Sequence, residues 1–372
     1  MIVSARRSAP QSLFQARVAL FGLVALASVA TPAETLLVVR KTDNAVSFVD
    51  PGSGLQLAAV ATGFAPHEIS VSPDGTRAVV SNYGTREQPG TSLSIIDLAQ
   101  PREARRIELA PHTRPHGVAW YAPGRIAVTT EGSRSLLVVD PDAGRIVQAI
   151  STAQETSHMV AVSPDATRAY VTNIGSGTTT VIDLVADRKL TDLPTGAGSE
   201  ALALSPDGRE LWVAARSAGQ IAIVDTGTLA ITARMPAPGM PIRIAFAADG
   251  RSVLVTCAQS SEIVAFDPAQ HVERGRRKVD VPRAPGAERR PFAQLAPGSA
   301  LPVGLLWSRD GHSAYVAATM GDRIVRLNAA SLDWLGVIEV GGEPDGLALT
   351  HVQLQAVCHA CNPPVDAAPR TP

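Results

Sequence analysis

Internal repetition restricts this chain more than any other feature of its sequence. Asp165, Asp207 and Asp249 occupy the same place in "AVSPDATRAYVTN", "ALSPDGRELWVAA" and "AFAADGRSVLVTC", and successive members stand 42 residues apart. A period near 40 residues, cut into several short apolar runs, fits a four-stranded propeller blade, a unit that buries its faces only by stacking on its neighbours. In the copy that begins at Ser157, "MVAVS", "AYVTN", "TTTVIDL" and "RKLTDLPTG" read as four strands separated by turn chemistry. The Ser-Pro-Asp-Gly tetrad explains the first turn: Pro206 presets φ at the second position, Asp207 follows, and Gly208 tolerates positive φ. Helical spacing is absent, so the chain reads as all-β.

Six complete copies begin at Pro66, Pro115, Ser157, Ser199, Pro241 and Pro302. The stretch from Thr35 to Gly63 carries only the last three strands of a copy, and the missing first strand recurs as "PDGLALTHV", Pro344 to Val352. One blade is therefore expected to contain both ends of the ring. That closes a seven-bladed β-propeller and leaves no open edge.

The segments "AYVTNIGSGTTTVIDL", "AVVSNYG" and "SPDGRELWVAA" resemble the YVTN repeat of exported, YncE-like bacterial β-propellers over nearly all of the chain beyond residue 30. The resemblance implies the fold and leaves the chemistry open. In that wider group, propellers serve as binding proteins, surface proteins and the frames of enzymes, including haem nitrite reductases, amine dehydrogenases and lactone-acting enzymes.

Arg6, Arg7 and Arg17 precede the apolar run "VALFGLVALASVA", which ends at Ala30 among small residues. This reads as a secretory signal peptide, 1–30, with Ala33 as an alternative cleavage point; the run is too short for a membrane span. No cysteine follows to carry a lipid, so no membrane anchor is expected and the mature protein is placed in the periplasm or outside the cell. The propeller is expected over 31–352, followed by a disordered tail, 353–372, rich in Pro and Ala. Cys358 and Cys361 form "CHAC" in that tail, a candidate short disulfide in an oxidising compartment, with Cys257 left as the odd thiol.

Charge narrows the partners. With 33 Lys+Arg against 34 Asp+Glu and a net charge of -1, nothing draws the chain to nucleic acid or an anionic membrane. Neither a phosphate-binding glycine loop nor a nucleophile elbow is recognisable. The expected partner is a small molecule or a protein.

Candidate site residues come from aligning the repeats on the turn aspartate. Asp345, His67, His116, His158, Glu200, Ile242 and Val303 then share one position at the head of the innermost strand, in order around the ring. Five neighbouring blades place an ionisable group there, a polar arc at one mouth of the channel. Loops on the same face bring Asn82, Tyr83 and Arg86, Glu131, Asn173 and Arg216, and Cys257 holds the position of Asn173 in its own blade. Three imidazoles flanked by carboxylates suit a transition metal, with His67, His116 and His158 as the ligands and Asp345 or Glu200 beside them. They equally suit a metal-free ligand site in which Asn82 and Asn173 take part. An enzyme of the lactone-acting kind would use His158 and Glu200 as acid and base with Arg243, but strict strand alternation turns Arg243 away from the aligned position. A structural envelope or surface protein, with the arc incidental, is the remaining class. The long insertion Glu273 to Pro302, with Arg276, Arg277, Lys278, Arg283, Arg289 and Arg290, is expected to leave the sixth repeat as an exposed strand and return as a solvated, charged loop overhanging the arc.

Overall fold

A computed structural model of the protein describes residues 1–2 and 34–354; the expected signal peptide and most of the expected tail, including Cys358 and Cys361, lie outside the described residues. From Thr35 to Thr350 the chain forms seven antiparallel sheets of four strands each. Six blades are contiguous, and their inner strands begin at Pro66, Pro115, Ser157, Ser199, Pro241 and Pro302. The remaining blade, blade 1, adds Pro344–Thr350 to Thr35–Arg40, pairing Thr35 with Thr350 and Leu37 with Ala348. Numbered from there, blades 2 to 7 follow in chain order. The only helical segments among the described residues are three short 3-10 turns, Ala287–Arg289, Pro291–Gln294 and Thr319–Gly321.

The blades are held together by apolar faces that meet between neighbours. Trp212 of blade 5 is fully buried and meets Phe246 and Phe266 of blade 6 edge-on, in a cluster with Ile221, Ile223 and Val255. Aromatic pairs in this geometry add roughly 0.5–1.5 kcal/mol beyond the area they bury.

The recurring turn is built from side chains. Ser72, Ser163, Ser205 and Ser308 each donate their hydroxyl to the aspartate two residues on, Asp74, Asp165, Asp207 and Asp310. Each carboxylate also accepts the backbone N–H of Thr76, Thr167, Arg209 or His312. Hydrogen bonds to the charged form favour it. The Ser72 hydroxyl, with Thr76, holds the Asp74 carboxyl down at about 2, and Asp165, Asp207 and Asp310 are lowered in the same way, chiefly by their serines.

At the other end of each inner strand, the pairing slips. The register with the second strand jumps between Pro66 and Ile69, Ser157 and Val160, Ser199 and Ala201, and Pro241 and Arg243. Buried hydroxyls on the second strands hold the slipped segments. Thr129 and Thr172 accept the N–H of Gly117 and Met159 inside their own blades. They donate at 2.5 Å to the carbonyls of His158 and Glu200, the head residues of the next blade. Thr256 donates likewise to Val303, at 3.1 Å. The glycine of "PHG" and "PDG" follows from the same closeness: a Cβ on Gly117 would lie 2.6 Å from the carbonyl oxygen of His158, and one on Gly346 2.6 Å from that of His67.

Two predictions follow from these local structures. Replacing Thr172 by Val keeps the shape and strands two buried backbone groups, the Met159 N–H and the Glu200 carbonyl, so unfolding in urea should show a loss of about 2 kcal/mol. A midpoint equal to that of the parent would show the hydroxyl to be dispensable. For the turn aspartates, folded pKa values lie below unfolded ones, so their stabilisation is complete above about pH 4 and drains away as pH falls through the folded values. A variant with Asp74, Asp165, Asp207 and Asp310 all changed to Ala should therefore lose less stability than the parent between pH 5 and pH 2.5; parallel curves would refute this.

Candidate functional site

All seven head residues, Asp345, His67, His116, His158, Glu200, Ile242 and Val303, line one cavity of about 280 Å3 at the centre of the ring. The hydroxyl and glycine contacts described above fix the backbone at several of these heads, so the side chains emerge at a common height. Lys41, Tyr83, Glu131, Arg216 and Arg243 complete the polar part of the wall.

The imidazoles form a continuous row in which His67 meets His116 edge-on and His116 lies against His158. His67 lies against Tyr83 with ring centroids 4.5 Å apart. Its Nδ1 is 3.1 Å from Nε2 of His116, and the His116 and His158 rings overlap at 3.7 Å. Nδ1 of His158 meets Oε1 of Glu131 at 2.6 Å, while its Nε2 stands 3.7 Å from Oε1 of Glu200. Tyr83 donates its hydroxyl to Oε2 of Glu131 at 2.6 Å, and Arg216 donates to Oε2 of Glu200 at 2.7 Å. His116 is 4% exposed, and its Nδ1 is buried with no hydrogen-bond partner.

Burial sets the charge states. It pushes the pKa of all three imidazoles well below the usual histidine value, and the neighbouring cations and imidazoles act in the same direction. The rings are therefore neutral near pH 7. Burial also raises the Glu200 carboxyl, against the pull of Arg216 and Arg243. At Asp345 burial acts upward too, but Lys41 and Arg243 outweigh it and leave the carboxyl below its usual value. Lys41 lies 3.3 Å from Asp345, and Arg243 reaches both Glu68 and Asp345.

The position of Arg243 corrects the expectation from alternation. The register slip between Pro241 and Arg243 breaks the period of two. Both Ile242 and Arg243 consequently line the cavity. The slip after Pro66 brings Glu68, the residue after His67, into contact with Arg243. Glu68 and Lys41 were not anticipated from the sequence; the available signal was that Glu68 and Arg243 share one repeat position with opposite charge.

Asn82 and Asn173 do not line the cavity. Both are fully buried within their blades, where Asn82 accepts the Gly63 N–H and donates to Ser92 and Ser94. Asn173 bonds Ser157, Thr178 and Thr180. They pin strand ends, because the strands continue through positions that read as loop. Cys257, expected beside the mouth, is fully buried among Val255, Ile244 and Val264, and burial pushes its thiol up to about 12. Arg86 offers its carbonyl to Arg114.

The segment after the exposed strand Val272–Lys278 is a packed cap over one side of the cavity, in place of the expected solvated loop. Ala287, Ala293, Ala296 and Leu301 are buried against Ile242, Ala258, Val303 and Met320. Arg290 locks it down with two 2.8 Å bonds to Asp322 and a 3.1 Å contact to Glu343. Phe292, Leu295 and Leu301 face the cavity with Met240 and Ile242, giving it an apolar wall opposite the histidines. A larger groove of about 620 Å3 lies on the opposite face, between the turns of blades 6 and 7. Its arginines 274, 276 and 309 are paired with carboxylates.

No helix among the described residues is long and apolar enough to cross a membrane. No curated protein sequence matches the chain significantly. Among solved structures, the ring is similar to the periplasmic gluconolactonase PpgL of Pseudomonas aeruginosa, at 21% identity and TM-score 0.66 over 86% of this chain and 99% of that one. It is similar as well to a functionally unknown protein of Desulfotomaculum acetoxidans, at 14% identity and TM-score 0.70 over 86% and 99%. A chain of hydrazine synthase from Kuenenia stuttgartiensis matches at 18% identity and TM-score 0.64 over 80% and 93%. Identities this low carry the fold alone. Residues 125–288 match the family model described as YNCE-like beta-propeller, and seven four-stranded blades closed through both ends of the ring give the whole chain the architecture of a β-propeller similar to that family.

Proposed function

We propose that this chain is an exported protein, with a signal peptide over 1–30 and a propeller over 31–352, that binds a small organic molecule at the histidine-bearing mouth of its channel. The observation that carries the reading is the single cavity with two unlike walls. One wall is the imidazole row with its carboxylates; the other is Phe292, Leu295, Leu301 and Ile242. Small-molecule sites combine an apolar lining with a few convergent polar groups, from about 300 Å3 upward, and this cavity, at about 280 Å3, suits a ligand of one ring or so.

Charge refines the ligand class. Lys41, Arg216 and Arg243 face Glu131, Glu200 and Asp345 across the lining, and the imidazoles are neutral. A wall so balanced favours an uncharged head rich in hydrogen-bonding oxygen over a strong anion or cation. The test is a panel of five- and six-membered lactones and their ring-opened hydroxy acids, each with and without a phenyl substituent, titrated against the full chain by calorimetry. A lactone should bind the parent and lose about tenfold or more in affinity with His116→Ala. Phe292→Ala should remove the preference for the phenyl group. Unchanged binding after His67, His116 and His158 are all replaced by Ala would refute this site, and no binding by any member would favour a structural role.

Lactone hydrolysis is the second reading, favoured by the placement of His158 between Glu131 and Glu200, with Arg216 on the far oxygen of Glu200. A neutral His158 would take a proton from the attacking water at Nε2 and pass it through the Glu200 carboxylate, 3.7 Å away, to the departing ring oxygen, which leaves both groups as they began. General acid–base groups contribute about 10²–10⁴-fold, so His158→Ala should lower turnover by at least about 100-fold with the fold intact. Turnover that survives the change excludes this pair.

A further inference from the structure

The polar wall holds a grouping distinct from the set of three histidines. His116, Glu131 and His158 each offer one ligand atom such that the three atoms lie within 4.8 Å of one another. We propose that these three residues bind one divalent transition-metal ion of the zinc class, through Nδ1 of each imidazole and Oε1 of Glu131. The assignment rests on the pocket reading in that the ion would form part of the same polar wall.

The choice of atoms follows from what already occupies the others. Nε2 of His116 is engaged by Nδ1 of His67 at 3.1 Å. With the Nε2 proton donated to His67, the Nδ1 lone pair of His116 is left free, and that atom is buried with no partner. Nε2 of His158 faces Oε1 of Glu200 at 3.7 Å. Oε2 of Glu131 accepts the Tyr83 hydroxyl at 2.6 Å. Each candidate ligand thus has its far atom directed at a different neighbour, the outer arrangement that orients metal-binding histidines and carboxylates. His67 stands outside this grouping, and its Nδ1 contact with His116 makes it a positioning neighbour.

Two histidines and a glutamate, with a position open to solvent or substrate, is a donor set that zinc accepts. Bonds of about 2.1 Å hold tetrahedral ligand atoms roughly 3.4 Å apart. The ion would take the place of the proton shared between His158 Nδ1 and Glu131 Oε1, now 2.6 Å apart, and that proton would pass to Nε2 of His158, facing Glu200. The His116 and His158 rings, tilted by 30°, would have to swing apart at their Nδ1 edges to share the ion.

The experiment uses the full chain, isolated without chelator or affinity metal and stripped by dialysis, titrated with Zn2+ by calorimetry and with Co2+ by visible absorption. One equivalent of Zn2+ is expected, with Co2+ bands of low symmetry. His116→Ala and Glu131→Gln should each weaken binding by about 100-fold or more, while the positioning changes Tyr83→Phe and His67→Gln should weaken it by about 10–100-fold. His271→Ala, on a surface turn far from the cavity, should leave it unchanged. Far-ultraviolet circular dichroism checks each fold, and the conservative His116→Gln stands in should the alanine variant fail to fold. Zn2+ bound equally by the parent, His116→Ala and Glu131→Gln, or not bound by the parent, overturns the inference. Running the lactone panel on the stripped protein keeps the two readings apart. Organic binding without any Zn2+ binding would sink the metal and leave the pocket, whereas Zn2+ binding lost in the variants, with no organic ligand, would do the reverse.

Discussion

The geometry of the mouth depends on one repeated contact: a buried hydroxyl on a second strand that bonds two backbone groups at once. Thr172 takes the Met159 N–H in its own blade and gives its proton to the Glu200 carbonyl of the next; Thr129 does the same between Gly117 and His158. A ladder that slips by a residue leaves backbone groups without their usual partners, and buried groups of that kind are costly. The hydroxyl answers that cost and ties neighbouring blades together in the same bond. Because the tied carbonyl belongs to the head residue, the contact that joins neighbouring blades is also the one that fixes the backbone from which the side chain enters the cavity.

This arrangement brings seven side chains to a narrow opening, and a wall of charges there would be unstable if left unpaired. The chain meets the difficulty in two ways. Its carboxylates and cations are interleaved, with Arg243 between Glu68 and Asp345, Lys41 on Asp345 and Arg216 on Glu200. Its imidazoles are kept neutral by burial, so that three of them pack side by side without mutual repulsion. Buried ion pairs of this sort add little net stability. Their retention beside a cavity, with the apolar cap pinned across it by Arg290, fits a site built for recognition.

Most of the fold was legible in the sequence, because a blade is specified locally. The 42-residue spacing, the Ser-Pro-Asp-Gly turn and the Pro or Ser that opens each inner strand are short-range signals, and the strand starts at Pro66, Ser157 and Pro241 follow from them. Less of the site was legible, for reasons that lie between blades. Arg243 enters the channel, and Glu68 comes to meet it, through register slips stabilised by tertiary contacts, which a rule of strict alternation cannot express. Asn82 and Asn173 resemble turn residues in sequence, yet each satisfies buried strand ends. The cap has the composition of a solvated loop, and only the burial of Ala287, Ala293 and Ala296 against blades 6 and 7 makes it structure.

The two chemistries considered for His158 exclude one another on elementary grounds. An imidazole has one lone pair when neutral, and a nitrogen that ligates an ion cannot at the same time collect a proton from water. If His158 holds a metal through Nδ1, its other nitrogen carries the proton and faces Glu200, which makes the pair an orienting contact. If His158 is an acid–base group, Nδ1–H remains on Glu131, and Nε2 is the atom free to act on a substrate. The proton on His158 therefore decides the chemistry of the whole arc. Glu131, 2.6 Å from Nδ1 and itself held by Tyr83, is the group that controls where that proton sits.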